Sequence, residues 1–387
     1  MPTSMVMVST ERDKGRTREM ERRKDFSDLK REVIDNGNCA LCGGCVATCR
    51  LLDYGLLRMD VAEGGPVKGE GQQYAPAASC FFSQGKPVIR PGQQCPPSCG
   101  YCYYQCPRVE APVLKEGLEE IYEVVSKDET IRGACHNGGA LLSLLVSALE
   151  DAIVEGCITI ADKAGKPEVR VAMSKSSLIE GAGSCYGSAA TLTGVADAIV
   201  NQGLWTVALV GTPCQIAGYE KMLEVGRGTH NAHNFSSSVR LRISLFCTGA
   251  YSYDALVKEY LERKQGIPVR EITRLDIRDD GLHVYAGDKE LFHAALSEIA
   301  DYKRAGCKIC EDFAGRFSDI SVGHIGTPAG KSTVIIHTDF GKEVFERAIE
   351  WGYIDAKPID KAGAELIHRL QQEKREAGLA EKAKRKD

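Results

Sequence analysis

Cys39-Ala-Leu-Cys42-Gly-Gly-Cys45-Val-Ala-Thr-Cys49 and, farther on, Cys95-Pro-Pro-Ser-Cys99-Gly-Tyr-Cys102-Tyr-Tyr-Gln-Cys106-Pro107 hold half of the 16 cysteines in this chain of 387 residues. Each run ends in a CxxCxxxC step, the ligand spacing of a protein carrying two [4Fe–4S] clusters. A cubane needs four thiolates around one small volume. A CxxCxxC loop wraps one face of it, and Gly43 and Gly44 are expected to let the backbone approach the sulfides. In two-cluster ferredoxins the last cysteine of each run ligates the other cluster. That rule groups Cys39, Cys42, Cys45 and Cys106, and separately Cys49, Cys95, Cys99 and Cys102. Arg50 follows Cys49 where proline is usual, and three residues rather than two separate Cys95 from Cys99. The second departure leaves Cys80 as a rival to Cys95. Zinc knuckles also use CxxC pairs, but two matching four-cysteine runs exceed what a zinc site needs. A disulfide framework is disfavoured because nothing marks the chain as secreted.

The totals fit an ordinary globular protein of two or three domains, with 43% hydrophobic and 26% charged residues. The apolar stretch Met5 to Val8 is too short for a signal peptide, and no run has the length of a membrane span. A reducing, cytoplasmic setting is expected. The net charge of −4 gives no support to nucleic-acid binding.

Residues 1–30 read as a charged arm that becomes a solvated helix near Phe26. Residues 31–108 read as a ferredoxin-like module whose insert, 64–94, is a docking surface or a cover, with short strands at Gln73–Ala78 and Lys86–Arg90. After Val109 the pattern changes. Helices are expected at Glu116–Ser126, Gly138–Glu155, Leu192–Asn201, Ile216–Val225, Asp254–Arg263 and Lys342–Trp351. Strands are expected at Cys157–Ala161, Arg170–Met173, Trp205–Gly211, Arg240–Phe246, Ile320–Gly323 and Thr333–His337, with a hairpin at Ile272–Tyr285 turning at Asp279-Asp280-Gly281. The alternation implies an α/β domain over 109–370 with a parallel or mixed (α+β) sheet. Residues 371–387 read as a charged helical tail, dispensable for chemistry.

Four more cysteines sit at meaningful places. Cys214 and Cys247 each follow a strand, and Cys307 and Cys310 form a CxxC. Ligands gather beyond the carboxyl ends of strands in an α/β sheet. The four thiolates suffice for a third cubane. Buried free thiols, or a redox-active CxxC pair, account for the same spacing.

Val210-Gly-Thr-Pro-Cys-Gln-Ile-Ala-Gly218, and Cys307-x-x-Cys310-x-Asp312-Phe313 through Ser318-Asp-Ile-Ser-Val-Gly323, resemble segments of the coenzyme F420 hydrogenase/dehydrogenase beta-subunit family. His136-Asn137-Gly138-Gly139 through Leu145 is similar to that family's flavin-binding helix. Gly183-Ser184-Cys185-Tyr186 is similar to its Gly-Ser-Lys/Arg-Tyr segment, with Cys185 in place of the basic residue. The resemblance spans roughly Val109 to Ile354. It implies an FAD enzyme that moves a hydride between coenzyme F420 and its flavin, beside a [4Fe–4S] cluster on Cys214, Cys247, Cys307 and Cys310. The residues it places at the cofactor are His136, Asn137, Gly138, Gly139, Ser184, Tyr186, Gly211, Thr212 and Gln215.

The two-cluster module in front resembles the electron-input subunit of F420H2 dehydrogenases, the F420H2-oxidising half of F420-dependent sulfite reductase, and formate dehydrogenase beta subunits. The implied partners are redox subunits of membrane dehydrogenase, hydrogenase, formate dehydrogenase or heterodisulfide reductase type. F420 carries two electrons as hydride and clusters carry one, so a flavin must stand between them. No side chain need act as acid or base; His136 is the nearest candidate for a proton relay, or else a flavin contact or structural. Lys163, Lys166, Arg170 and Lys175 are candidate contacts for the acidic F420 tail. The competing readings are a ferredoxin-driven reductase of the hydroxymethyl-chlorophyll reductase type, and a flavin-free electron wire.

Overall fold

The computed structural model describes residues 23–52, 57–59, 86–95, 99–114, 117–135, 137–163, 166–183, 185–226, 237–278 and 280–385. Cys80, the strand expected at Gln73–Ala78, His136, Ser184 and Asp279 lie outside them.

Two short strands, β1 (Leu57–Met59) and β2 (Pro87–Ile89), pair antiparallel within the cysteine-rich module. Along the rest of the chain run β3 (Glu120–Ser126), β4 (Gly156–Lys163), β5 (Lys166–Ala172), β6 (Val207–Gly211), β7 (Val239–Leu245), β8 (Arg274–Arg278), β9 (Gly281–Ala286), β10 (Lys289–Ala294), β11 (Ile320–Gly323), β12 (Ser332–Ile336) and β13 (Ile354–Pro358). Eight of these form one sheet in the order β13-β3-β12-β11-β7-β6-β4-β5. Its centre, β11-β7-β6-β4, is parallel, and the strands on both sides of it are antiparallel. The sheet is therefore mixed. β6 reads Val-Ala-Leu-Val-Gly and is buried throughout, as a strand covered on both faces must be. β8, β9 and β10 make a separate antiparallel sheet.

Four helices matter for the site. They are α1 (Gly44–Leu51), α2 (Ala140–Glu150), α3 (Pro213–Gly226) and α4 (Lys361–Lys384).

The structure corrects three expectations. Residues 120–126 form strand β3 rather than part of a helix. Ile121, Val124 and Val125 fit a helical stripe as well as an extended one, and pairing with both β12 and β13 decides the matter. The segment at Phe26 is not solvated. Asp25 caps it through the backbone N–H groups of Ser27 and Asp28, and Phe26, Leu29, Val33 and Ile34 are buried against Leu41, Val46 and Cys102. It belongs to the core of the cysteine module. The third correction concerns the tail, whose residues beyond 370 continue α4 and pack onto the CxxC loop, as described below.

Gly43 and Gly44 also have a packing role. Gly43 has φ +87°, and a Cβ there would lie 2.8 Å from the Ala190 carbonyl oxygen; one on Gly44 would meet Leu192 and Met222 at 3.4 Å. The pair lets α1 press against the main domain. The docking is reinforced by Arg304, whose guanidinium donates to the carbonyls of Cys39 (2.8 Å) and Ala40 (3.2 Å).

Candidate functional site

β6 and β7 are parallel neighbours, so Cys214 and Cys247 leave the sheet at the same edge. Cys214 lies in the first turn of α3 and is steered by its neighbours. Its sulfur lies 3.4 Å from the Thr212 hydroxyl. Gln215 is buried, accepts from the Thr212 N–H (2.7 Å) and donates to the Ala189 carbonyl (2.6 Å). Thus Gln215 braces the Gly211–Cys214 turn with both ends of its amide. Gly218 completes the motif: a Cβ there would sit 2.9 Å from the sulfur of Cys42. That approach brings α3 against the first cysteine run.

The thiols fall into three neighbourhoods. Burial pushes Cys42 well up, with further contributions from Cys106, Cys39 and Cys214. Cys45 rises for the same reason, helped by Cys42, Cys39, Cys102 and Cys106. Cys106 is pushed up to about 11, mainly by burial. In the second neighbourhood burial raises Cys102, and Cys95, Cys99 and Cys49 add to it. Burial and then Cys99 and Cys49 push Cys95 up to about 11. In the third, Cys214 is pushed up to about 12 by burial and Cys310. The cross-influences of Cys42 with Cys214, and of Cys45 with Cys102, put the set that contains Cys42 between the other two.

Buried thiols at these values would keep their protons unless a cation replaced them, which is what metal ligation does. Backbone N–H groups already point at several sulfurs. Leu41 donates to Cys39 (3.4 Å) and Ala250 to Cys307 (3.3 Å). No disulfide joins any of the described cysteines. Partly buried sulfurs that feel one another, with backbone N–H groups beside them, suit an iron–sulfur cube.

Two cations enter this region. The Arg108 guanidinium donates to the Gly306 carbonyl (2.9 Å), and the thiols of Cys310, Cys214 and Cys307 act on it. It also favours the thiolate of Cys106, two residues before it. Lys374 of α4 reaches the Cys247 carbonyl. Cys310 goes the other way: burial pushes it up, but Lys374, Arg108 and the Asp312 backbone outweigh burial and hold it below its ordinary value. Sequence reasoning missed both cations. Nothing distinguishes Lys374 from the other lysines of the tail.

The residues expected at the flavin are more dispersed. Gly138 and Gly139 precede α2, but their space is already used. A Cβ on Gly138 would lie 2.6 Å from both the Ser332 nitrogen and the Val124 oxygen, and one on Gly139 (φ +74°) would lie 2.9 Å from Ile131. Close packing, on β3 and β12 and on Ile131, thus requires glycine at both positions. Tyr186 is partly buried and donates to the Ile277 carbonyl (3.4 Å). Asn137 is partly buried beside them. Arg170 is paired with Glu180 (3.4 Å) and Lys175 with Asp128. Neither is an uncommitted anion-binding group, and the side chains of Lys163 and Lys166 lie outside the described residues.

Buried polar networks stiffen the sheet at the amino end of β11, away from the strand ends that carry Cys214 and Cys247. Arg242 grips Asp319 through two nitrogens (3.0 and 2.6 Å) and also pairs with Glu220. Asp319 takes the Arg242 backbone N–H and the Thr338 hydroxyl as well. The aspartate of the Ser318–Gly323 segment is thus a structural clamp. His337 meets Ser321 at 2.8 Å, and burial pushes its pKa down to about 4. In the smaller sheet, Asp280, His283 and His293 approach one another. His283 has Asp280 on one ring nitrogen and Glu290 on the other, at 3.0 and 3.1 Å. Hydrogen bonding to Asp280 raises its pKa.

Family models for the coenzyme F420 hydrogenase/dehydrogenase beta subunit match residues 121–196 (N-term) and 204–362 (C terminus). Coenzyme F420 hydrogenase subunit beta of Methanothermobacter thermautotrophicus is 30% identical over 273 residues, spanning 70% of this chain and 95% of that protein. The chain belongs to the coenzyme F420 hydrogenase/dehydrogenase beta-subunit family. The family's coenzyme F420-dependent sulfite reductase from Methanocaldococcus jannaschii is 32% identical over 334 residues. That match takes in 82% of this chain, more than the part after Arg108 can supply, and 47% of the reductase. Among solved structures, a chain of the F420-reducing [NiFe] hydrogenase complex from Methanosarcina barkeri matches with a TM-score of 0.63 and 26% identity, covering 69% of this chain and 91% of its own length. This beta-subunit-like chain is accordingly an oxidoreductase of the F420 type. No helix among its described residues is long and apolar enough to cross a membrane.

Proposed function

We propose that the chain exchanges a hydride between coenzyme F420 and FAD and exchanges single electrons with a partner redox subunit through three [4Fe–4S] clusters. The observation that carries this reading is the grouping of twelve thiols into three adjoining sets, with the Cys42 set in the middle. FAD, when bound, would supply the interchange between two-electron and one-electron chemistry, and the clusters the one-electron relay.

The chain's own residues supply position and environment. Cys214, Cys247, Cys307 and Cys310 would hold the cluster nearest the flavin. Cys39, Cys42, Cys45 and Cys106 would hold the middle one. Cys49, Cys95, Cys99 and Cys102 would hold the one nearest the partner. Gln215 and Gly218 fix the turn between the first two sets. The FAD site would lie on the main domain, on the residues that the family resemblance assigns to it: His136, Asn137, Gly138, Gly139, Ser184, Tyr186, Gly211, Thr212 and Gln215. The family match supports F420 as the substrate. The match of the sulfite reductase to the cysteine module supports a donor or acceptor beyond the flavin domain.

Anaerobically purified protein tests the reading directly. Flavin absorption bands that bleach with F420H2 and not with NADH are expected, together with about twelve iron atoms per chain from three cubes. Zinc in place of iron, or a chain without flavin, would overturn it.

A further inference from the structure

Helix α4 runs for 24 residues, and most of it lies beyond residue 362, where the family match ends. It is nevertheless built into the third cysteine set. The Gln371 side chain accepts from the N–H groups of Phe313 (3.0 Å) and Ala314 (3.1 Å) and donates to the Glu311 carbonyl (2.9 Å). A Cβ on Gly378 would come within 2.7 Å of the Cys310 oxygen, so the helix lies directly on the CxxC backbone. Lys382 pairs with Glu311. Arg385 then spans to Asn38 (2.6 Å), beside Cys39, and to the Ala305 carbonyl (3.2 Å).

Within this clamp, Lys374 turns inward. Its ammonium donates to the Cys247 carbonyl. The nearby carboxylate of Asp312 is committed elsewhere, to the N–H groups of Gly315 (2.8 Å) and Arg316 (3.2 Å). A half-buried ammonium hydrogen-bonded to the backbone of one of the four cysteines, on a helix that packs on the CxxC backbone, is matched to an anionic group held by their sulfurs. A [4Fe–4S] cube on four thiolates is such a group, and its negative charge grows on reduction. A fixed positive charge beside it therefore favours the reduced form.

We propose that Lys374 is the counter-charge of the cluster held by Cys214, Cys247, Cys307 and Cys310, and that it raises that cluster's reduction potential while α4 clamps the CxxC loop. The proposal rests on the three-cluster reading above. It makes the carboxy-terminal helix a positioning element for the redox centre.

The test uses the full-length, iron-reconstituted chain under anaerobic conditions. Iron content and the potentials of the individual clusters, followed by electron paramagnetic resonance, are compared for wild type, Lys374→Met, Lys374→Gln and Lys374→Arg. Cys310→Ser identifies the signal that belongs to the third set. In the two neutral variants that signal is expected to shift to a more negative potential, by about tenfold in the reduction equilibrium, or about 59 mV for one electron. Selective loss of that one cluster's iron in both neutral variants, with retention in Lys374→Arg, also supports the role. Wild-type potentials and iron in both neutral variants would overturn the proposal alone. So would an arginine variant that behaves like the neutral ones, because the role would then be packing and not charge. If replacing both Cys307 and Cys310 with alanine leaves the iron count unchanged, the three-cluster reading itself fails and takes the proposal with it.

Discussion

Arg108 stands between two sets of sulfurs, two residues after Cys106 and within the field of Cys310, Cys214 and Cys307. Its removal should therefore be felt twice. Arg108→Met is expected to lower the potentials of both the middle and the flavin-side clusters in a redox titration, whereas a change at Lys374 moves one. Asp319 has a different burden. It is buried and satisfies Arg242 three times. Asp319→Ala would strand that guanidinium, and denaturant titration should report a loss of about 3–5 kcal/mol. His337 makes stability depend on pH. Its folded pKa, near 4, lies below its unfolded value, so between pH 6.5 and 4 the unfolded chain takes up the extra proton. Stability from this group is complete above about pH 6.5 and is lost as pH falls towards 4, at about 1.4 kcal/mol per pH unit. Melting curves of His337→Gln should be flatter than wild type across that window. The cysteines themselves were legible in the sequence, because a cubane dictates ligand spacing. Arg108, Lys374 and His337 were not, since charge tuning imposes place without imposing a pattern.

At the level of elements, α4 decides most. A chain ending at Asp360 loses Gln371, Lys374 and the Lys382–Glu311 pair together. The expected result is about four fewer iron atoms per chain, with the flavin retained, as measured by metal analysis and absorption. The sequence revealed the parallel strands well, because Val207–Gly211 and Ile320–Gly323 are short apolar runs bounded by turns. It misread β3, where Ile121, Val124 and Val125 suit two periods at once and only pairing partners far along the chain separate them. It overlooked β10 and β13, whose residues are largely polar and exposed at sheet edges. The glycines were recognised as special positions, but their protein neighbours, Ala190 for Gly43 and Ser332 for Gly138, come from distant parts of the chain.

For the molecule as a whole, the cysteine module is packed onto the domain that carries the sheet. Contacts that cross the boundary are numerous and stiff. Arg304 holds the carbonyls of Cys39 and Ala40, Arg385 holds Asn38, and Gly43 and Gly218 bring helices together at van der Waals range. Such a front module cannot swing out to deliver its load and swing back. Traffic inside the chain would proceed by hopping between stationary stations, so thickening the solvent with sucrose should leave the internal rate untouched in a stopped-flow trace. Any wandering between donor and acceptor would fall to the visiting protein, which must come and dock beside the outermost station itself.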